Sequence, residues 1–586
     1  MTHKFEKYRA NARIELFGAV PALLAAWLVL LLFCPILVID AVAASDDFER
    51  ARSGGTRMDE SDGRPIYGVI EPYLPGSGFG DAMVTGTIGK PSTLIRVLGT
   101  DSSSSEISSK LFVGLLKFDK DLNVVPKAAE YYQVLDDGLR LRFKLRRGIK
   151  WSDGSEVDLD DVEYTYRMMI DPKTPTAYSG DYKQVREFRR LPEVDDWTFE
   201  VVYEKPFPRA LMSWMTDILP RRALENEDLR KTSQLRNPVS SGPFRLKSWE
   251  NGVRVTLTAN PDYFEGRPNL DGMVYRVIRD SSTMFLELQA GKIDRMDLSK
   301  QQYVFQTPKP AFKERFNVYK MLSFGYTFMG YNMKSPFFSD ARVRRAISMA
   351  VDKNDVVDGA LFGQGVTTIG PYRPGSWPFN TEIKDYPHDP AAALALLAEA
   401  GWKPGRKGLL EKDGRPFSFT LLVNQGNTER IKAATILQSQ LKPLGIEVKV
   451  RVLEWTAFIN EFVMKGYFDA VILGWNITMD PDIFDVWHSS RIGGLNFINY
   501  ANPEVDDLLE QARSTFNREI RKKCYDRIQE ILHEEQPYCF LYVPYSFTAM
   551  AKRFKGIEEA PAGIEHNLIR WWVPETDQLY RNFLQP

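Results

Sequence analysis

The stretch 139-LRLRFKLRRGIKWSDGSEVDLDD-161 decides how this chain is read. Leu139, Leu141, Phe143 and Leu145 alternate with Arg140, Arg142 and Lys144, which predicts a strand with one buried face. Asp153-Gly154 supplies a turn. Asp160 and Asp161 then open a helix, where the positive end of the helix dipole favours acids. Val162, Thr165, Tyr166 and Met169 follow on one helical face.

The same texture extends outward in both directions. Trp197, Phe199, Val201 and Tyr203 predict a second strand, and Val448, Val450 and Val452 alternate with Glu447, Lys449 and Arg451 in a third. Val343, Ala346, Ile347, Ala350 and Val351 form a helical stripe behind a cap at Asp340. Asp389-Pro390 and Asn502-Pro503 each read as a cap followed by a first-turn proline. Strands and helices are interleaved without internal repeats or low-complexity tracts. The expected class is α/β (mixed α+β) with several lobes.

Composition narrows the function classes. A chain of 586 residues exceeds one core and suggests two to four domains. Lys plus Arg (76) and Asp plus Glu (77) nearly cancel, so neither a nucleic-acid-binding excess nor an acidic tail is present. The 12 Trp, 25 Tyr and 35 Phe fill either a large core or a ring-lined ligand cleft. Cys34 lies in an apolar N-terminal segment, leaving Cys524 and Cys539 for the folded part. Two buried free thiols are expected there, with a single bridge as the alternative.

The N-terminus places the chain outside the cytoplasm. Lys4, Lys7, Arg9 and Arg13 precede 24 uncharged residues, Leu16 to Ile39. Basic residues before such a stretch predict a cytoplasmic N-terminus and export of all that follows. Its length suits a retained anchor, while Ala41-Val42-Ala43-Ala44 offers a signal-peptidase site, so both stay open. Leu31-Leu32-Phe33-Cys34 only loosely resembles a lipoprotein box. Residues 45–82, with Ser53-Gly54-Gly55 and Pro75-Gly76-Ser77, read as a flexible tether.

Catalytic signatures are missing. There is no Gly-x-Ser-x-Gly elbow, and His533-Glu534-Glu535-Gln536-Pro537 lacks the second histidine of a zinc-protease helix. Gly89-Lys90-Pro91 is not a phosphate loop. The five histidines are widely scattered, and Asp480 and Asp482 flank Pro481 in what reads as a turn. No enzyme activity, metal or cofactor is expected.

Several segments, taken in order, resemble the extracellular solute-binding proteins of family 5, the peptide- and nickel-binding group of ABC importers. The opening stretch is similar to that family's strand–turn–helix signature. Pro206, Ser241-Gly242-Pro243-Phe244, Asn260-Pro261-Asp262-Tyr263-Phe264 with Gly266, and Ala290-Gly291-Lys292-Ile293-Asp294 resemble its later motifs. So do Asn332 to Ile347, Gly370-Pro371, Pro374-Gly375-Ser376-Trp377, Gly401-Trp402 and Gly474-Trp475. The resemblance covers roughly residues 83 to 575 and implies a two-lobed periplasmic-binding-protein fold. This is the type II, large three-domain variant with a discontinuous first lobe. The first lobe would comprise 83–111, 237–330 and 536–586, an inserted domain 112–236, and the second lobe 331–535. Residues 1–44 would be the signal peptide or anchor.

The implied function is capture of an oligopeptide or peptide-like solute by closing lobes, and its delivery to a permease and ATPase by a monomeric protein. Peptide-binding members usually carry an aspartate three residues after the Trp of the Gly-Trp motif, paired with the ligand's ammonium. Thr478 stands at that place here. The expected lining is Trp475, Asn476, Thr478, Asp480 and Asp482. Asn424 and Gln425 at a strand end complete it, together with the aromatic Trp377 and Trp487, for which lobe packing is an equal alternative. Trp475 as plain core and Asp480 as a turn residue is the bland alternative. A metal chelate, opine or sugar as ligand, a membrane-tethered chaperone or sensory ectodomain, and a secreted hydrolase are the competing functions.

Overall fold

The computed structural model describes residues 62–70, 78–476, 479–581 and 583. Chain contacts divide at Thr56, and everything described lies in the second unit, Arg57–Pro586. The apolar segment Leu16–Ile39, Cys34 and most of the expected tether lie outside the described residues. Among those described, no helix is long and apolar enough to cross a membrane.

Strand β1 (Ala82–Thr87) leads to helix α1 (Ser102–Leu111), whose cap Asp101 accepts from the Ser104 N–H. An antiparallel sheet follows, from β2 (Ala129–Leu135), β3 (Arg140–Leu145), β4 (Val185–Arg190) and β5 (Thr198–Tyr203). Its order is β2-β3-β5-β4, with Ile66–Tyr67 on the outer edge of β2. In β3 the expected alternation holds: Leu141, Phe143 and Leu145 are fully buried. Phe143 stacks on Phe199 at 5.3 Å, and Phe199 on Phe188 at 4.8 Å.

Helix α2 (Leu159–Ile170) begins with Asp158 and Asp161 in a reciprocal capping box. Asp161 also accepts the Trp151 indole N–H at 2.9 Å and the Arg221 amide at 2.8 Å. One carboxylate thus ties the Trp at one end of this run to the helix start at the other. The structure moves two expected positions. Leu139 ends the preceding turn and is exposed, and Trp197 lies just outside β5, half-buried beneath Arg147. Glu200, in the middle of β5, is buried because Arg140, Arg142 and Arg189 converge on it at 2.5–3.1 Å. Burial pushes its carboxyl up, and the three guanidiniums outweigh burial to hold it below the usual range.

The chain returns through β6 (Phe244–Glu250), β7 (Arg254–Ala259), β8 (Gly272–Val277) and β9 (Arg295–Asp297). A Cβ on Gly242, before β6, would stand 2.5 Å from the Leu111 carbonyl carbon, so the Gly-Pro-Phe turn needs its glycine. Helix α3 (Lys300–Gln306) and β10 (Phe316–Leu322) follow. Only Ser323 and Phe324 separate β10 from β11 (Gly325–Tyr331), which belongs to a different sheet neighbourhood. Helix α4 (Ala341–Ala350) carries the expected Asp340 cap. Beyond it, β12 (Ser418–Asn424), α5 (Thr428–Leu441), β13 (Glu447–Leu453) and β14 (Ala470–Asn476) build a sheet in the order β13-β12-β14-β11. β13 is its edge, so the apolar alternation runs off the core: Val448 is buried and Val452 exposed.

Helices α6 (Pro503–Arg513), capped by Asn502, and α7 (Arg518–Glu535) precede the long strand β15 (Tyr538–Ala551). Residues 538–542 of β15 pair with β11, and residues 545–551 pair with β10. One strand thus joins both lobes. Four cores result. One is shared by the antiparallel sheet and one face of the first-lobe sheet, and one covers the opposite face. The other two lie on the faces of the second-lobe sheet: Ala470 and Ile472 point into one, Val471 and Leu473 into the other. Cys524 and Cys539 are buried and free, in separate cores.

Arg553 ties distant segments of the first lobe. It pairs with Asp81 and, at 2.9 Å, with Asp294, while Asp294 accepts the Val84 amide and Asp81 accepts the Tyr580 amide. Removing one partner of a buried ion pair costs about 3–5 kcal/mol. Arg553→Met is therefore expected to lower unfolding stability by about that amount. Urea denaturation measures it, and a loss under about 1 kcal/mol would show that the network is incidental.

Candidate functional site between the lobes

The end of β14 carries Gly474-Trp475-Asn476. Gly474 faces a crowded corner: a Cβ there would stand 2.7 Å from the Tyr326 carbonyl oxygen and 2.8 Å from Arg430 Nη2. Trp475 is half-buried and donates from Nε1 to the Tyr538 hydroxyl at 3.3 Å. Asn476 is exposed and pairs across the sheet with Gly325, next to the Ser323-Phe324 crossover. Thr478 lies outside the described residues.

Asp480 and Asp482 are both bound within the second lobe. Arg521 Nη2 lies 2.8 Å from Asp480, and Arg513 Nη2 lies 2.8 Å from Asp482. The pairs link residues 41 and 31 positions apart. The turn is real as well. The Asp482 amide donates to Asp480 at 2.9 Å, the Phe484 amide to Asp482 at 3.1 Å, and the Tyr372 hydroxyl to the Pro481 carbonyl at 3.0 Å. The carboxylates that the ligand ammonium would use are thus spent on arginines.

The other candidates separate. Asn424 is buried, with its Oδ1 accepting from Arg430 Nη1 at 3.1 Å, so it borders Gly474 through that guanidinium. Gln425 is exposed, its amide donating to the Leu453 carbonyl at 2.7 Å. Trp377 is half-buried beside Tyr525, with Arg518 and Arg521 over its ring at 4.8 and 5.6 Å. Trp487 is fully buried, 4.6 Å from Tyr538 and 5.7 Å from Tyr500, and packs the lobe. The structure therefore puts Trp475 and Asn476 at the end of β14, ties Asp480 and Trp377 to the same Arg521, and leaves Trp487 in the core.

Residues invisible to motif reading complete the rim from the facing lobe. The Asp480 amide donates to Met212 Sδ at 3.2 Å. Arg209 lies 3.2 Å from Asp181 and 3.7 Å from Asp485. Phe516, in the loop between α6 and α7, is buried in the first-lobe core, its ring edge 2.3 Å from where a Cβ on Gly138 would stand. Gly138 has φ +93°, so glycine serves both the turn and the socket. On another side, Lys300 of α3 pairs with Glu429 of α5 at 2.8 Å, and Phe305 meets Phe362 edge-on at 5.6 Å. A separate shallow pocket beside β10 and β15, lined by Tyr319, Lys320, Ser546 and Thr548, includes none of the candidates.

Two lobes joined by a two-residue crossover and one shared strand, touching again across a rim of aromatic and charged groups, define a two-lobed solute-binding protein. Comparison with known proteins agrees. A profile described as "Bacterial extracellular solute-binding proteins, family 5 Middle" matches residues 123–494. Oligopeptide-binding protein AppA of Bacillus subtilis is 36% identical over 510 residues, 84% of this chain and 92% of that protein. The structure of Bacillus subtilis AppA in complex with a nonapeptide superposes with TM-score 0.69 at 33% identity, covering 85% of this chain and all of that one. NikZ from Campylobacter jejuni in complex with Ni(L-His) gives TM-score 0.70 at 27% identity, covering 84% and 99%. The chain belongs to the bacterial extracellular solute-binding proteins of family 5.

Phe516 offers a test of how the lobes hold together. Truncating a buried Phe to Ala costs about 3–5 kcal/mol when the cavity persists. If the ring acts as a latch, Phe516→Ala relieves that cost by letting the lobes part. Spin labels on the two lobes are then expected to report longer distances in the ligand-free variant. An unchanged distance distribution with reduced global stability would make Phe516 a static core residue.

Proposed function

We propose that the chain is the ligand-capturing component of an ABC importer, binding an oligopeptide or peptide-like solute between its lobes and presenting it to a membrane permease with its ATPase. The observation that carries this is the match to an oligopeptide-binding protein along nearly the whole length of both chains. Capture works by population shift: a ligand that touches both lobes favours the closed arrangement by its differential affinity. A micromolar ligand supplies about 8 kcal/mol, enough to bias such a hinge.

In this reading the protein is monomeric, catalyses no reaction and needs no cofactor. The first lobe takes 83–111, 237–322 and 545–586 and the second 325–542, with 112–236 inserted, so that β11 and residues 538–542 fall with the second-lobe sheet they pair in, in place of bounds at 330 and 535. The strand pairing supports crossovers at Ser323-Phe324 and near Val543-Pro544. The 24 uncharged residues behind a basic N-terminus support export to the outer face of the cytoplasmic membrane, as a cleaved signal or a retained anchor. Trp475, Asn476, Thr478 and Asp480 line the site, with Asp480 shaping it through Arg521 rather than meeting an ammonium directly. A chelate ligand is the second reading, favoured by the likeness to a nickel–histidine-binding structure.

Purified full-length protein, denatured and examined by mass spectrometry, is expected to release peptides. Release of a metal chelate, opine or sugar alone would replace the peptide assignment. Substituting Trp475 with Ala is expected to weaken binding of the released species at least tenfold with the fold intact. Unchanged affinity would remove Trp475 from the site.

A further inference from the structure

We propose that Arg373 is the anchor for a carboxylate of the bound ligand. The inference rests on the peptide reading above and adds the chemical group that this site selects.

Arginines around the rim are otherwise committed. Arg209 faces Asp181 and Asp485, Arg491 faces Asp485, Arg513 faces Asp482 and Arg521 faces Asp480. Arg430 has no carboxylate, but spends one N–H on Asn424. Arg373 is different. It is half-buried, yet among the described residues its side chain makes no hydrogen bond and no ion pair, and its Nε is fully shielded. Burial alone acts on its titration, pushing it down, with no neighbouring acid to compensate.

The position of Arg373 is informative. Its guanidinium lies over the Phe324 ring at 4.5 Å, and Phe324 is the second of the two residues that carry the chain from β10 to β11. Its neighbour Tyr372 is bonded to Pro481, between the two aspartates of the candidate segment. Residue 373 is therefore fixed where the interlobe crossover meets the rim. The loop is held by its own turn, with the Arg373 carbonyl accepting from the Ser376 amide and hydroxyl, so the side chain is not needed to shape it.

The contact of the guanidinium with Phe324 is a cation–π contact that supplies no acceptor oxygen. The N–H groups lie in the guanidinium plane and remain unspent. A carboxylate approaches in that plane and takes two of them at once. A partly desolvated cation without an anion is a cost to the empty protein, and a ligand carboxylate removes it. The acids of this site are already neutralised, so its unfilled demand is for negative charge. In a peptide the carboxylate is either the C-terminus or an Asp or Glu side chain.

The test uses full-length protein and an equimolar mixture of synthetic nonapeptides of randomised sequence, prepared as free acids and as C-terminal amides. A second pair of mixtures contrasts internal Glu with Gln. Native mass spectrometry reads what is retained. Wild type is expected to prefer one acidic form by tenfold or more, and the pair showing the preference identifies the source. Arg373→Gln is expected to lose that preference while melting, ligand-free, at or above the wild-type temperature. Arg373→Lys keeps charge without the fork and is expected to retain a reduced preference. It decides the matter if the glutamine variant is poorly folded. Equal retention of acid and neutral forms by wild type overturns the anchor and leaves the peptide reading standing. A preference undiminished in both variants overturns it likewise. Retention of neither form removes the peptide reading and the anchor together.

Discussion

Everything in this molecule depends on strand β15 being common to both lobes. Its first five residues complete the second-lobe sheet against β11, and its last seven pair with β10 in the first lobe. At the crossing, the Ser323 amide donates to the Pro544 carbonyl at 2.9 Å, and the Tyr545 amide donates to the Gln364 carbonyl at 3.1 Å. Pro544 has no N–H to give, so the strand can change partners there without orphaning a donor. Relative movement of the lobes is thereby confined to a few residues around 323–324 and 543–545. Large dihedral changes are absorbed at such element ends, while sheets on either side stay rigid.

That constraint explains how function is distributed. Residues nearest a hinge are displaced least when two lobes close, so groups placed there suit holding a ligand in either arrangement. Phe324, Arg373, Asn476 and Gly474 are of this kind. Met212, Arg209 and Lys300 lie farther out and meet the second lobe only across the gap, and Phe516 crosses it in the other direction. The first group suits recognition and the second suits closure. A contact that forms only on closing contributes to affinity by stabilising the closed state, whatever the ligand's chemistry.

The fold was legible in sequence because its signals are local. Trp151, the Asp153-Gly154 turn and Asp161 lie within eleven residues, and the structure joins both ends of that run through one indole hydrogen bond. The caps at Asp340, Asp389 and Asn502 are likewise one-turn phenomena. The site was less legible because its chemistry is settled by partners far along the chain. Nothing near Asp480 announces Arg521, and nothing near either announces Met212, 268 residues away. Trp487, an aromatic that suits a cleft or lobe packing equally, is in core because β15 carries Tyr538 and Phe540 beneath it. Arg373 was within a motif that had been read, yet its significance is the absence of a partner, which no linear pattern displays.

The neutralised aspartates also bear on how one frame accommodates different ligands. A carboxylate placed in a rim can be offered to an ammonium or consumed by a guanidinium on the next helix, and the choice costs no change of fold. Here α6 and α7 present Arg513 and Arg521, which consume both. The turn around Pro481 is braced as a result, and Asp480 to Asp482 offer shape rather than free charge. Binding must then draw on backbone groups, ring faces and whatever polar capacity is left unspent. In a rim whose acids are already matched, a cation without an acid carries more discriminating power than several paired ones, because its electrostatic demand falls on the ligand.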